Sequence, residues 1–214
     1  MTPAEVISEA RRLINDNRSP QRYSDADMLG FVNQTLKRAA MYRPDLFLQI
    51  GDISTAAGTT VQTMPADSIR LVEIFGVKDG GTVTEVDREV FDQTYPGWRS
   101  EASGTPVNFM RHVRNPNVYF LYPRPVSGVI LLAEYAKVPT GYALNDPIAA
   151  PIDAYFPTIV DGTVYLAESV DDEHVNSGRA KLFLDSFTQG LGVSLQSREI
   201  TDSEEAGLDP RRIG

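Results

Sequence analysis

The chain has 214 residues, of which 42% are hydrophobic, so it can bury a core as one large domain or as a core domain with an insertion. It contains no cysteine, which excludes disulfides, thiolate nucleophiles and thiolate metal ligands. The formal net charge of -9 argues against a protein that grips a nucleic-acid backbone, because such proteins carry clustered excess base. No apolar run reaches the length of a membrane span and the N-terminal segment lacks the pattern of a secretory signal, so we expect a soluble, non-exported protein.

Helical periodicity dominates residues 1–46. Thr2 followed by Pro3 predicts a capped helix with proline at its first position, where no amide proton is needed. The apolar stripe of this first helix is Val6, Ala10, Leu13 and Ile14. The turn-forming segment 15–20 (NDNRSP) separates it from a second helix.

Ser24 is placed to cap the second helix, which Pro44 ends. Asp27 completes a capping box in which aspartate takes the usual place of glutamate, and Asp25 also falls in the first turn, where the helix dipole favours carboxylates. The stripe of this helix is Leu29, Val32, Leu36, Ala39 and Ala40. Catalytic carboxylates usually converge on a cleft from different elements, so Asp25 and Asp27 are interpreted as a helix start rather than a site.

Strand-like alternation replaces helical periodicity over residues 47–139. The alternating segments are 59–64, 69–77, 107–113, 118–122 and 129–135. Short links join the last three of these segments, which predicts an antiparallel meander. Segment 87–95 (DREVFDQTY) predicts a short helix that is ended by Pro96 and Gly97.

The third zone is helical again. Pro157 can begin one helix, and a second begins near Asn176 or Gly178. The stripes of the two helices are Val160, Val164 and Ala167, and Ala180, Phe183, Leu184, Phe187 and Leu191. We expect these helices to pack as an antiparallel hairpin.

The predicted fold class is α+β, with the terminal helices packed together and a β zone inserted between them. Residues 1–46 and 140–197 form an α-helical bundle domain, and residues 47–139 form an inserted domain with an antiparallel sheet or a barrel-like arrangement. Residues 198–214 are polar, contain Gly and Pro and lack an apolar stripe, so they are predicted to be an extended C-terminal tail.

Motifs for catalysis are missing from the sequence: there is no Gly-rich phosphate loop, no Gly-x-Ser-x-Gly elbow and no His-Glu-x-x-His. His112 lies within an alternating strand, which favours a structural histidine over a catalytic base. The aromatic residues Phe109, Tyr119, Phe120 and Tyr122 lack dense neighbouring Lys and Arg, which favours core packing or a protein contact over the stacking of nucleic-acid bases.

Segment 168–174 (ESVDDEH) is the densest group of metal-ligating residue types. Asp171, Asp172 and His174 in this segment could serve a metal-dependent hydrolase. The spacing matches no defined metal loop, so a solvated turn between helices is favoured instead. We therefore expect no enzyme activity, no cofactor and no metal.

Four segments together carry a resemblance to a known family. They are residues 22–47 (RYSDADMLGFVNQTLKRAAMYRPDLF), 91–98 (FDQTYPGW), 107–125 (VNFMRHVRNPNVYFLYPRP) and the closing helical stretch 156–192. Their order and spacing resemble the phage head-to-tail adaptor family of short-tailed phages, also called tail tubular or head–tail connector proteins. The chain departs from the family pattern at Gly162 and Gly178, where bulkier or helix-favouring residues are usual.

The resemblance implies a structural virion protein located in the phage neck and assembled in the cytoplasm of the bacterial host. Such adaptors form a homo-oligomeric ring, usually of twelve copies, between the portal protein and the tail nozzle or tail tube. Genomic DNA passes through the ring without sequence-specific binding, and an acidic wall suits this because like charges repel. No membrane partner is implied. A tail-completion or gatekeeper protein of the phage tail is the alternative.

The C-terminal tail is the candidate binding site under this resemblance, because in some members of the family the C-terminal arm reaches into the portal ring. The residues expected to dock on the portal are Leu208, Asp209, Pro210, Arg211, Arg212 and Ile213. The two arginines would pair with carboxylates, and the leucine and isoleucine would be apolar anchors.

Overall fold

The computed structural model describes residues 1–170 and 177–192, which contain five α-helices and seven β-strands and thus an α+β fold. The helices are α1 (Pro3–Leu13), α2 (Asp25–Tyr42), α3 (Arg88–Thr94), α4 (Phe156–Glu168) and α5 (Ser177–Gly190). The strands are β1 (Leu48–Ser54), β2 (Val61–Thr63), β3 (Ser68–Val77), β4 (Thr84–Glu85), β5 (Asn108–Arg111), β6 (Val118–Tyr122) and β7 (Ile130–Lys137). None of these helices is long and apolar enough to cross a membrane.

The chain separates into two compact units. One unit combines Met1–Arg43 with Gly141–Gly214, and the other is Pro44–Thr140. The first contains α1, α2, α4 and α5, and the second contains all seven strands and α3.

In the first unit, α4 packs against α1, α2 and α5. Its buried side chains include Ile159, Val160, Val164 and Ala167, in agreement with the predicted stripe. The hydrogen bond from Ser186 to Asp161 and the ion pair between Arg179 and Glu168 show that α4 and α5 run antiparallel, which confirms the predicted hairpin.

Gly162 lies inside α4, where this helix packs against α2 and α5. A Cβ atom at this position would lie 2.5 Å from Thr35 Cγ2 on α2 and 2.8 Å from Phe187 Cδ2 on α5. Real Cβ contacts are longer, so the close packing of α4 requires glycine here.

Both N-terminal helices begin as the sequence predicts. Thr2 and Glu5 form a capping box at α1, and Ser24 and Asp27 form one at α2. The stripe of α2 differs in one position, because Met28 is fully buried while Leu29 is only half-buried.

Two open sheets form the second unit. The three-stranded sheet has the order β1-β7-β3, and the four-stranded sheet has the order β2-β6-β5-β4. The buried cluster of this unit draws on both sheets and comprises Ile53, Met64, Leu71, Ile74, Val83, Phe109, Tyr119, Leu121, Val129, Leu131, Ala133 and Tyr135. The two sheets of this unit thus share one core.

The sequence predictions for this unit are wrong in part and incomplete. The strands do not form one meander, because β7 leaves β6 and pairs with β1 and β3 in the other sheet. The described strands form no closed barrel, and β4 pairs with β5 in parallel. Strand β1, in which only Ile53 is buried, was not predicted. Alternation shows which residues face a core, but it does not show which strands become neighbours.

Candidate functional site

Asp25 is a structural ion-pair partner. The guanidinium of Arg11 is buried; its Nη1 lies 2.6 Å from Asp16 Oδ2 and its Nη2 lies 2.8 Å from Asp25 Oδ1. Nη2 also donates to the Tyr23 carbonyl at 2.8 Å, and the Tyr23 hydroxyl donates to the Ala167 carbonyl at 2.6 Å. These bonds join α1, the loop before α2 and the end of α4, so Asp25 serves the packing of the first unit.

Asp27 caps its own helix. Its Oδ2 accepts from the Ser24 hydroxyl at 2.6 Å and from the Ser24 backbone N–H at 3.1 Å. These two hydrogen bonds hold the pKa of the Asp27 carboxyl below its ordinary value. The prediction that Asp27 starts a helix is confirmed.

His112 organises the loop between β5 and β6. Its Nδ1 accepts from the backbone N–H groups of Arg114 at 3.2 Å and Asn115 at 3.1 Å, so the proton of the neutral ring is placed on Nε2. The ring stacks on Phe120 with centroids 6.0 Å apart. Since its ring acceptor is occupied by the turn, the structural interpretation of His112 is confirmed.

Aromatic side chains cover the outer face of the four-stranded sheet. Trp98 is fully buried beside Phe91 and Phe120, at centroid distances of 5.7 and 6.3 Å. Phe91 also lies 5.1 Å from Tyr122. Segments 91–98 and 107–125, which carry much of the resemblance, therefore pack against each other.

The remaining two aromatic residues from the sequence prediction belong to the core. Phe109 and Tyr119 are each 1% exposed, and burial raises the pKa of the Tyr119 phenol. Strand β6 thus turns Tyr119 and Leu121 towards the core and Phe120 and Tyr122 towards α3. Core packing, one of the two interpretations that the sequence favoured, is confirmed for Phe109 and Tyr119.

The candidate metal residues Asp171, Asp172 and His174 lie outside the described residues. The preceding Glu168 is buried, with its Oε1 3.6 Å from Arg179 Nη1. Residues 1–170 and 177–192 contain no group of three His, Cys, Asp or Glu side chains able to hold a metal ion. The predicted portal-docking residues 208–213 also lie outside the described part of the chain.

The exposed face of the three-stranded sheet is the feature that sequence reasoning missed. Glu73 on β3 and Glu134 on β7 lie directly opposite each other, and Ile50 on β1 lies opposite Glu134 on the other side. Ile50 is 61% exposed, and Leu132 and Phe75 nearby are more than one-third exposed. The sequence shows a lone glutamate in the middle of each of two apolar strands. Only the strand register shows that these two glutamates lie opposite each other.

Comparison with known protein families places this chain in one of them. The family described as "SU10 adaptor protein" matches residues 1–211. A search of curated proteins gave no match. Because the family match covers nearly the whole chain, the chain belongs to the SU10 adaptor protein family, a family of structural phage head-to-tail adaptors.

Proposed function

We propose that this protein forms a ring of about twelve copies in the virion neck, joining the portal to the tail nozzle or tail tube and lining the DNA channel. The observation that carries the proposal is the family match over residues 1–211, which spans both compact units and most of the C-terminal segment. A ring forms when a head-to-tail contact between neighbouring copies closes by rotation. At each such contact, the two copies therefore present different surfaces to each other.

The chemistry of the described side chains supports a structural role. Asp25 pairs with a buried arginine, Asp27 caps a helix and His112 holds a turn. Each of these three residues, which the sequence offered as catalytic candidates, thus has a structural role. Assembly, rather than chemistry, remains as the role for the exposed surfaces.

Imaging the purified full-length chain tests the ring. Negative-stain microscopy and single-particle mass measurement, each with and without portal protein, should show annular particles of about twelve copies that bind the portal. Monomers or dimers under both conditions would contradict the ring. Binding to the tail tube without binding to the portal would instead favour the gatekeeper alternative.

The C-terminal segment supplies the portal contact in this proposal. Arg211 and Arg212 would pair with portal carboxylates, with Leu208 and Ile213 as apolar anchors beside them. A chain lacking residues 199–214 should keep its circular dichroism spectrum and melting temperature but lose portal binding, measured by co-sedimentation with portal rings. Portal binding equal to that of the full chain would refute the docking.

A further inference from the structure

Two carboxylates oppose each other on the outer face of the three-stranded sheet without a compensating charge. Glu73 and Glu134 are register partners on β3 and β7, and like charges at opposed positions destabilise a sheet. Throughout residues 1–170 and 177–192, neither side chain has an ion pair or hydrogen bond. Their repulsion would be relieved by a cation that approaches the sheet from outside.

Apolar side chains surround this acidic pair. Ile50 is 61% exposed, Leu132 38% and Phe75 37%. Leu132 and Phe75 line a shallow groove of about 410 Å³ together with Asp52. A partner that fits this face therefore presents a cation next to an apolar side chain.

The β5–β6 loop of the same unit has the complementary chemistry. Val113 is 81% exposed, the highest fraction for a large apolar residue in the described chain. Arg114 follows it, and its side chain has no ion pair or hydrogen bond among the described residues. The loop thus presents an apolar side chain and a cationic side chain next to each other, and both are available for a contact.

The loop is also held in one conformation. His112 Nδ1 accepts two backbone N–H groups, Asn115 Oδ1 accepts the Asn117 N–H at 3.0 Å, and Asn117 Nδ2 donates to the Ser68 carbonyl at 3.2 Å. Pre-organisation lowers the entropy that a contact costs.

We propose that the β5–β6 loop of one copy binds the exposed sheet face of the next copy, with Arg114 between Glu73 and Glu134 and Val113 against the apolar side chains beside them. A second copy is the occupant because this chain carries both halves of the match. Copies with a net charge of -9 repel one another, so their contact needs a local pairing of opposite charges. Each copy gives its loop to one neighbour and its sheet face to another, so the proposed contact is head-to-tail, and it forms a ring because its rotation closes.

Cysteine cross-linking tests this contact directly, because the natural chain contains no cysteine. Chains with Val113→Cys and chains with Leu132→Cys, mixed and oxidised, should give a cross-linked dimer, whereas each alone should give little. One chain carrying both substitutions should give a ladder that ends at the ring's copy number. A larger yield of dimer from the Val113→Cys chain alone than from the mixture would overturn the head-to-tail contact.

Charge reversal tests the role of the arginine. Arg114→Glu should raise the concentration needed for half-assembly about tenfold or more, and adding Glu134→Arg to it should restore much of the loss. Lys37→Glu, on the exposed side of α2, is the control for net charge and should have a much smaller effect.

This inference rests on the proposed ring, and the two can fail separately. Rings that form with no 113–132 cross-link and no effect of Arg114→Glu would overturn the interface and leave the ring standing. A wild-type chain that stays monomeric, with and without portal protein, would overturn both.

Discussion

Gly162 shows how one missing side chain sets the distance between helices. A methyl group there would meet Thr35 and Phe187 well inside contact distance, so Gly162→Ala forces α2 or α5 to move. Overpacking costs about 1–3 kcal/mol, which exceeds the gain of about 1 kcal/mol from replacing a helical glycine. We expect the free energy of unfolding, measured by urea titration, to fall.

Gly30 provides the matched control. It lies in α2 with nothing within 4 Å of where its Cβ would be. Gly30→Ala should therefore raise the free energy of unfolding by up to about 1 kcal/mol. Equal effects at the two positions would show that helix propensity, and not the contact between helices, governs Gly162.

At the scale of single residues, local chemistry was predictable and long-range pairing was not. Ser24 and Asp27 lie three positions apart, so their capping box could be predicted from sequence. The pairing of Asp25 with Arg11 spans a loop, and the opposition of Glu73 and Glu134 spans most of the second unit. Gly162 was recognised as unusual, but its reason depends on a third helix.

Trp98 is one of the residues that attach helix α3 and the turn after it to the four-stranded sheet. The Trp98 indole Nε1 donates to Asp92 Oδ1 at 2.7 Å, and Arg99 pairs with the same carboxylate. The indole hydrogen bond first, and Arg99 second, lower the pKa of Asp92. Trp98 is the only tryptophan, so its fluorescence reports on this element alone.

This attachment should weaken in acid. Because the pKa of Asp92 is lower in the folded state, its contribution to stability is full above the unfolded value of about 3.9 and is lost as the pH falls through the folded value. The urea midpoint of Trp98 fluorescence should fall between about pH 5 and pH 3. Asp92→Asn should reduce that pH dependence while keeping an acceptor for the indole.

Glu89 on the same helix separates this effect from general acid unfolding. Its side chain has no ion pair or hydrogen bond within the described residues, so Glu89→Gln should keep the pH dependence of the wild type. The interpretation would be wrong if both variants changed the fluorescence midpoint alike.

At the scale of elements, the positions of most strands could be predicted from the sequence, but their arrangement in the two sheets could not. The five predicted strand segments all contain strands, because each has the alternation of a half-buried sheet. β1 was missed because its alternating residues Leu48 and Ile50 face outwards, leaving one buried residue, Ile53. The exposed apolar residues that made β1 hard to predict lie on the face that a neighbouring copy covers in the proposed contact.

For the whole molecule, the proposed ring requires a charge distribution that permits assembly and also prevents adhesion to DNA. Each copy carries a net charge of -9, so a closed ring is strongly acidic and repels a phosphate backbone. The second unit nevertheless has a basic groove of about 390 Å³ that includes Arg70, Arg111 and Arg114. Arg111 already pairs with Glu85, and the proposed contact occupies Arg114.

Assembled rings should therefore not retain duplex DNA. We expect no shift of a linear duplex in a gel-shift titration with the full-length ring at about 0.15 M salt. The acidic ring repels the phosphate backbone, so few of its cations can neutralise phosphates. Salt-sensitive retention that Arg70→Glu abolishes, in rings that stay intact, would show that the groove faces the DNA instead. If Arg114 lies between copies, Arg114→Glu has its effect on the ring mass and none on DNA retention, so the two measurements separate an interface arginine from a channel arginine.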